Sequence, residues 1–423
     1  ELNLTQQYAL EQDIEDPLAG FRDLFHIPKT NDGTDSIYFC GNSLGLMPKS
    51  VTDCVKKELE HWKDLAVEGH FKGSSPWMTY HESLAKPMAE IVGALPSEVI
   101  VMNTLTVNLH LMMVSFYRPT TDRFKILVDY SPFPSDRYAI DSQIRFHGYD
   151  PSETLIELLP GEGEEIVSED HIRYILENHG EEIALIIIGG VNYYTGQAYD
   201  IKSITQAGHR YGCKVGFDMA HAAGNLRLHL HDDGPDFAVW CTYKYINSGP
   251  GSLSGCFIHE RHHKDDTLHR FAGWWGHDKA SRFLMGDQFL PTQSAEGWQL
   301  SNTPILSMAP IKASLEIFHQ ANMDRLREKS MRLTAYLEYL IHEMDSDKIN
   351  IITPSDPHQR GCQLSLQMTR PDKSLFYYLM EHGVILDWRE PDVIRVAPTP
   401  LYNTFEDIWM FVNILQEGLK TLD

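Results

Sequence analysis

Seven short apolar runs punctuate residues 98–260: "EVIVMN", "FKILVD", "TLIELL", "ALIIIGG", "KVGFDMA", "FAVWCTY" and "GCFIHE". The gaps between most of them carry helical patterns, "VNLHLMMVSFYR", "PSDRYAIDSQIRFHG", "SEDHIRYILENHG" and "SITQAGHRYG". A strand that is apolar along its whole length has both faces covered, so these runs predict an α/β chain with a mostly parallel sheet sandwiched by helices.

The rest of the chain is organised around that block. "SVTDCVKKELEHWKDLAVEG" (50–69) predicts an amphipathic helix. A long helical stretch covers 305–343. It is followed by "NIITP", "CQLSLQM", "SLFYYLMEHG", "VILDWR", "VIRVAP" and a last helix capped by Thr404-x-x-Asp407. The expected division is an arm over 1–48 that joins a small domain, a large domain over 49–310, and a small α+β domain over 311–423. The net charge of −23, from 36 basic and 59 acidic residues, repels phosphate backbones and anionic lipid. Nucleic acid and membrane surfaces are therefore not expected partners. The six cysteines lack any C-x-x-C spacing and suit a reducing compartment. The first residues are acidic and polar, unlike a signal peptide, and no apolar run approaches a membrane span. A cytoplasmic protein is expected.

The chain has no P-loop, no G-x-G-x-x-G opening a helix after a strand, no H-E-x-x-H and no G-x-S-x-G nucleophile elbow between a strand and a helix. "GPGSLSG" (249–255) precedes a strand and reads as a turn. The histidine-rich stretches "LHLHDD" (228–233) and "RHHKDDTLHR" (261–270) are flanked by charge and read as solvated loops, with no metal expected. The strand ends offer more. Ligands of open parallel sheets sit there. Leu105 and Thr106 open a helix, Phe133 and Asp136 follow the next strand, Asp218 and His221 end "GFDMAHA", and Tyr243 and Lys244 end "WCTYK". Singly, Lys244 reads as a surface charge, Asp218 as a turn cap and His221 as a structural histidine. Together they supply an amine, an acid, an aromatic face and a helix start for phosphate, as pyridoxal 5′-phosphate requires.

The segments "YFCGNSLGLMP", "MNTLTVNLHLMM", "FPSDRYAI", "GVNYYTGQ", "GFDMAHAAGN", "CTYKYINSGPG", "GWWGH", "LSNTPIL" and "IRVAPTPLYN" resemble the kynureninase family. These are fold-type-I pyridoxal-phosphate enzymes of tryptophan catabolism, on the pathway to NAD. The resemblance runs from about Tyr38 to the C-terminus and implies a role for each matching residue. Lys244 would form the covalent imine with the cofactor, and Asp218 would pair with its ring nitrogen. His221 would lie at the ring, and Phe133, Pro134, Ser135 and Asp136 would form the turn against it. Leu105, Thr106 and Tyr243 would hold the phosphate, and Tyr243 would relay a proton. Trp274 and Asn302 would come from a neighbouring subunit of a homodimer. Arg395 would clamp the substrate α-carboxylate, with an ion pair that locks the domains as the alternative. Ser43, His70, Trp275 and Asn302 would border the substrate ring.

The implied reaction is hydrolysis of L-kynurenine, 3-hydroxy-L-kynurenine or both at Cβ–Cγ, giving anthranilate (or its 3-hydroxy form) and L-alanine. Lys244 would remove the α-proton. Trp275 stands where the animal-type pattern usually has phenylalanine, which leaves the substrate preference open. The rival readings are another fold-type-I enzyme, an aminotransferase or a cysteine desulfurase. A non-catalytic cofactor-binding regulator and a metal hydrolase are more distant.

Overall fold

The computed structural model describes residues 2–422. The apolar runs form seven strands: β1 (Val99–Met102), β2 (Lys125–Val128), β3 (Leu155–Glu157), β4 (Ile183–Gly189), β5 (Lys214–Asp218), β6 (Phe237–Trp240) and β7 (Ser254–Ile258). They make one sheet in the order β1-β7-β6-β5-β4-β2-β3. Only β7 runs against its neighbours. The sequence explains why this sheet is central: Ile183 to Ile188 are all buried, so β4 has no face to give to water. The order reverses between β2 and β4, and the carboxyl ends of the parallel strands share one edge.

Two differences from the sequence expectation matter for the site. "FAVWCTY" leaves the ladder after Trp240, so Lys244 lies beyond the strand, in a turn. There the Thr242 hydroxyl bonds to Leu253 O (2.6 Å) and Ser252 Oγ (2.7 Å), and Asn247 N–H closes on Lys244 O (3.0 Å). These local bonds replace the ladder. The stretch 305–343 is two helices, Ile305–Ala321 and Met323–Glu343, broken at Asn322 (φ +69°). Asn322 then caps the second helix through Asp324 N–H (2.8 Å).

The small sheet holds β8 (Ile349–Ile351), β9 (Leu364–Met368), β10 (Asp387–Arg389) and β11 (Val393–Val396), all antiparallel, in the order β10-β11-β9-β8. The last helix, Phe405–Lys420, begins with the reciprocal cap read from the sequence: Asp407 N–H to Thr404 Oγ1 (2.9 Å) and Thr404 N–H to Asp407 Oδ2 (3.2 Å). Met308, Ile311, Leu315 and Phe318 pack in the large core with Met323 and Leu326, whereas Leu333 onward packs in the small one. The two cores therefore part inside Met323–Glu343, beyond the expected boundary at 310. The arm divides too: Leu18, Phe25 and Leu46 enter the large core, and Ala9, Ile37 and Phe39 the small one. No helix among the described residues is long and apolar enough to cross a membrane.

Candidate active site

The carboxyl ends of the parallel strands open on a pocket of about 720 Å³, partly open to solvent. Two helices point their starts at it. Leu105–Phe116 begins where β1 ends, and Pro134–Phe146 begins just after β2 with Pro134 at its first position. The first N–H groups of a helix have no partner within it. Here two such ends converge, and between them the hydroxyls of Thr106 and Ser135 lie 2.9 Å apart. This is a cup for an anion.

The floor is acidic. Asp218 ends β5, and its Oδ1 accepts Ala220 N–H (2.7 Å). Asp136, on the first turn of the second helix, lies beside it. Asp136 is buried, and its Oδ1 has no hydrogen-bond partner. Burial, and then the Asp218 charge, push the Asp136 carboxyl well above the usual carboxylate range. A third acid, Asp129, accepts Tyr199 OH (2.5 Å), Tyr130 N–H (2.7 Å) and Asn192 Nδ2 (3.3 Å). Burial raises it to about 7 against those bonds. Two acids in contact, one of them unpartnered, suit a cationic ring nitrogen.

Opposite the acids, Lys244 Nζ lies 3.2 Å from His221 Nε2 and 5.8 Å from the centre of the Phe133 ring. Burial, and then the charges of Lys244, Arg395 and Arg389, hold His221 well below its ordinary value, so it is a neutral imidazole. With Nε2 facing the lysine, the ring proton falls on Nδ1, which is buried and has no acceptor. Tyr193 meets Phe133 edge-on, with centroids 5.3 Å apart. Tyr243 lines the same pocket; burial raises its hydroxyl above the usual range and keeps it protonated. The lysine turn is also gripped from outside. Gly45 N–H donates to Tyr243 O (2.8 Å), and a Cβ on Gly45 would fall 2.3 Å from Lys244 O.

The structure thus gathers Leu105, Thr106, Phe133, Ser135, Asp136, Asp218, His221, Tyr243 and Lys244 around one pocket, with Pro134 at the helix start beside it. Asp129 and Tyr193 also line it and were not read as site residues. Tyr193 lay within the quoted "GVNYYTGQ", and Asp129 is the acid that closes "FKILVD", so a strand-end signal existed for both.

The remaining candidates lie elsewhere. Arg395 is buried on β11, with Nε and Nη2 both on Asp387 and Nη1 on Tyr193 O (3.1 Å). The ion pair joins neighbouring strands of the small sheet and does not lock the domains; the contact with the large domain is the Nη1 bond to Tyr193 O. Arg389 shares Asp387 (3.1 Å) and reaches Ser43 Oγ (3.5 Å). His70 bonds Val67 O through Nδ1 (3.0 Å) and packs edge-on against Trp77. Trp275 is buried against the Arg282 guanidinium (4.5 Å), away from the pocket. Trp274 is 44% exposed and donates to Arg282 O (3.0 Å), and Asn302 is exposed. None of these five side chains (Ser43, His70, Trp274, Trp275 and Asn302) lines the pocket of its own chain.

The pocket's donor set matches one group: an amine for an aldehyde, orphaned acid and imidazole atoms around a ring, and paired helix starts for a phosphate. Fold and site define a pyridoxal-phosphate-dependent enzyme of fold type I. Solved structures with the same fold include a cysteine desulfurase from Thermococcus onnurineus NA1 (TM-score 0.76, 17% identity, covering 94% of this chain and 97% of that one). A cysteine desulfurase from Escherichia coli gives a TM-score of 0.77 at 15% identity, covering 96% and 99%. At such identities the likeness concerns the fold alone.

Sequence relatives are more specific. The kynureninase of Myxococcus xanthus is 55% identical over 412 residues, 97% of each chain. That of Koribacter versatilis is 54% identical over 408 residues, 96% of each. The family model described as the kynureninase C-terminal domain matches residues 326–415. The chain belongs to the kynureninase family.

Proposed function

We propose that the protein hydrolyses L-kynurenine at the Cβ–Cγ bond, with pyridoxal phosphate held at Lys244, to give anthranilate and L-alanine. The observation that carries this reading is Lys244 Nζ, 3.2 Å from a neutral His221, facing two touching carboxyls across one pocket. When bound, the cofactor supplies an electron sink conjugated to the substrate α-carbon.

The residues do the rest. The helix starts at Leu105 and Pro134, with Thr106 and Ser135, hold the phosphate. Asp218 and Asp136 would keep a proton on the ring nitrogen of the bound cofactor, and Phe133 would pack against its ring. Lys244, which would hold the cofactor, would also accept the substrate α-proton at Nζ. One water adds across the γ-carbonyl carbon as the Cβ–Cγ bond breaks, and Cβ receives a proton. The protonated Tyr243 hydroxyl is suited to give or guide a proton there. Arg395 meets the α-carboxylate through Nη1, which Asp387 leaves aside and which also donates to Tyr193 O (3.1 Å).

The desulfurase reading needs a thiolate. Cys40 and Cys54 are half-buried and the other four cysteines are buried. Burial raises all six thiols. None is a poised nucleophile.

A homodimer completes the site in this reading. Trp274 and Asn302, exposed on their own chain, reach the neighbour's cofactor, and His70 and Ser43 border the substrate ring, with the buried Trp275 packed edge-on behind Trp274. A cytoplasmic location and a place on the way to NAD belong to the same reading. Both kynurenine and its 3-hydroxy form are candidate substrates. Incubating the holoenzyme with L-kynurenine tests the core of it. Anthranilate fluorescence should appear with equimolar alanine; a keto acid, or no product, would overturn it. Comparing kcat/KM for the two substrates then settles the preference.

A further inference from the structure

The two histidine-rich stretches that the active site leaves unused do not lie free in solvent. His262 and His263 are buried; His262 Nε2 bonds Asp236 Oδ1 (2.7 Å) and His263 Nε2 faces Ile258 O (2.9 Å). A third meeting is more unusual. His231, from the short helix Leu230–Asp233, and His259, just after β7, stack face to face with centroids 5.4 Å apart and planes 16° apart. Both rings meet Glu98, the residue before β1, which is entirely buried. His231 Nδ1 is 3.0 Å and His259 Nδ1 3.8 Å from Glu98 Oε1. One donor atom from each of the three residues lies within 4.8 Å of the others.

We propose that Glu98, His231 and His259 form a binding site for a divalent transition-metal ion of the zinc type, remote from the catalytic pocket. Two imidazoles and one carboxylate are the donor set that zinc favours, with a fourth position left for water. Tetrahedral zinc at about 2.1 Å from each ligand needs ligand atoms roughly 3.4 Å apart. The observed 3.0 and 3.8 Å bracket that spacing. The carboxylate is already aimed: Leu95 N–H bonds Oε2 (2.9 Å) and Glu260 N–H bonds Oε1 (2.9 Å). Such outer contacts orient a ligand without using up its remaining lone pairs. His231 keeps about a third of its side chain exposed, which gives an ion a way in.

A second histidine–carboxylate cluster shows what a filled one looks like. At His81, Glu82 and Glu296 the ammonium of Lys279 sits 2.8 Å from Glu82 and 2.9 Å from Glu296. That cluster carries its own cation. Glu98 has no lysine or arginine within 4 Å among the described residues; its only ion-pair partners are the two imidazoles. Nearby Arg261 turns its guanidinium to Gly234 O and Asp236 instead. The Arg261 N–H does donate to His259 Nδ1 (3.2 Å), and metal binding displaces that bond together with the His231 Nδ1 bonds to Glu98 (3.0 and 3.1 Å). Micromolar rather than nanomolar affinity is therefore expected.

The position gives the ion a role. Glu98 precedes β1 and His259 follows β7, the antiparallel pair at one side of the sheet, at the edge opposite the pocket. An ion here clips β1, β7 and the helix Leu230–Asp233 together without touching the cofactor.

Equilibrium dialysis of the holoenzyme against micromolar Zn2+, with elemental analysis, tests this directly. One ion per chain is expected, Co2+ in its place should give visible d–d bands, and the melting temperature should rise with kynurenine turnover unchanged. The variant His231→Gln/His259→Asn keeps an acceptor for Arg261 N–H; it should retain cofactor absorbance and turnover yet lose the bound ion, the cobalt bands and the thermal shift. Stoichiometry below one-half per chain in the wild type, or equal binding by wild type and variant, overturns the site. Binding that inhibits turnover and survives in the variant also overturns it, and assigns the ion to the pocket.

Discussion

The two edges of the large sheet treat buried charge in opposite ways. At the amino edge Asp236, just before β6, is ringed by His209 (2.9 Å), His262 (2.7 Å), Arg261 (3.3 Å) and Lys214 (3.5 Å), and also accepts Val215 N–H (2.8 Å). Against the cost of burial, those partners hold its carboxyl far below the usual range. At the carboxyl edge Asp136 is just as hidden but touches another acid, leaves an oxygen unpartnered and is pushed up. Asp236 has its charge satisfied from within the chain. The carboxyl edge leaves an acid, an imidazole and an amine facing one space. Uncompensated charge, rather than charge itself, separates the working edge from the structural one.

Substitutions at the two edges should therefore fail in different ways. Lys244→Ala should abolish the visible absorbance of bound cofactor and lower kcat/KM by about 10³-fold or more while the protein stays folded; steady-state kinetics beside a melting curve would show it. Asp236→Asn should do the reverse, costing about 3–5 kcal/mol of stability by stranding several cations, with kcat/KM of the folded fraction unchanged. Because the folded value of Asp236 is depressed, its contribution is complete above about pH 4 and is lost as pH falls through the folded value. Denaturant melts at pH 7 and pH 3 should show the gap between wild type and variant shrinking on the acid side.

Arg395→Lys should raise KM about tenfold or more with a smaller change in kcat, since an ammonium cannot hold Asp387 and a substrate carboxylate with one planar fork. If kcat alone fell, Arg395 would be acting on the chemistry instead. The smallest effect is the sharpest test of the contrast. Asp136 has a raised folded value, so its contribution to folding is present below about pH 4 and lost as pH rises through that value. Cofactor-free Asp136→Asn should be the more stable protein at pH 8, with the gap closing toward pH 4, and should bind cofactor more weakly. A variant less stable at every pH would mean that Asp136 is structural, like Asp236.

The same contrast explains what the sequence disclosed. Strands β1–β7 were legible because continuous apolar runs such as "ALIIIGG" have one solution, and the strand ends then listed the pocket's amine, acids and aromatic ring. The partners of the structural edge were not legible. His209, Asp236 and His262 come from three elements with no shared spacing, so "RHHKDDTLHR" read as solvated when part of it is core. Arg395 was legible as a guanidinium but not its hold on Asp387, a cross-strand pair set by the register Asp387↔Arg395. The break at Asn322 was invisible because asparagine is tolerated in a helical pattern and only the positive φ reveals it.

The grip of Gly45 on the lysine turn bears on how such a chain can change. A single added carbon at position 45 would claim space that the Lys244 carbonyl already fills, although the two residues lie far apart in the chain. The aim of the reactive amine is thus written in two places, and only one of them looks chemical. Mutagenesis guided by catalytic side chains alone would pass over position 45, and a library that varied it would lose activity with every residue of the pocket still in place.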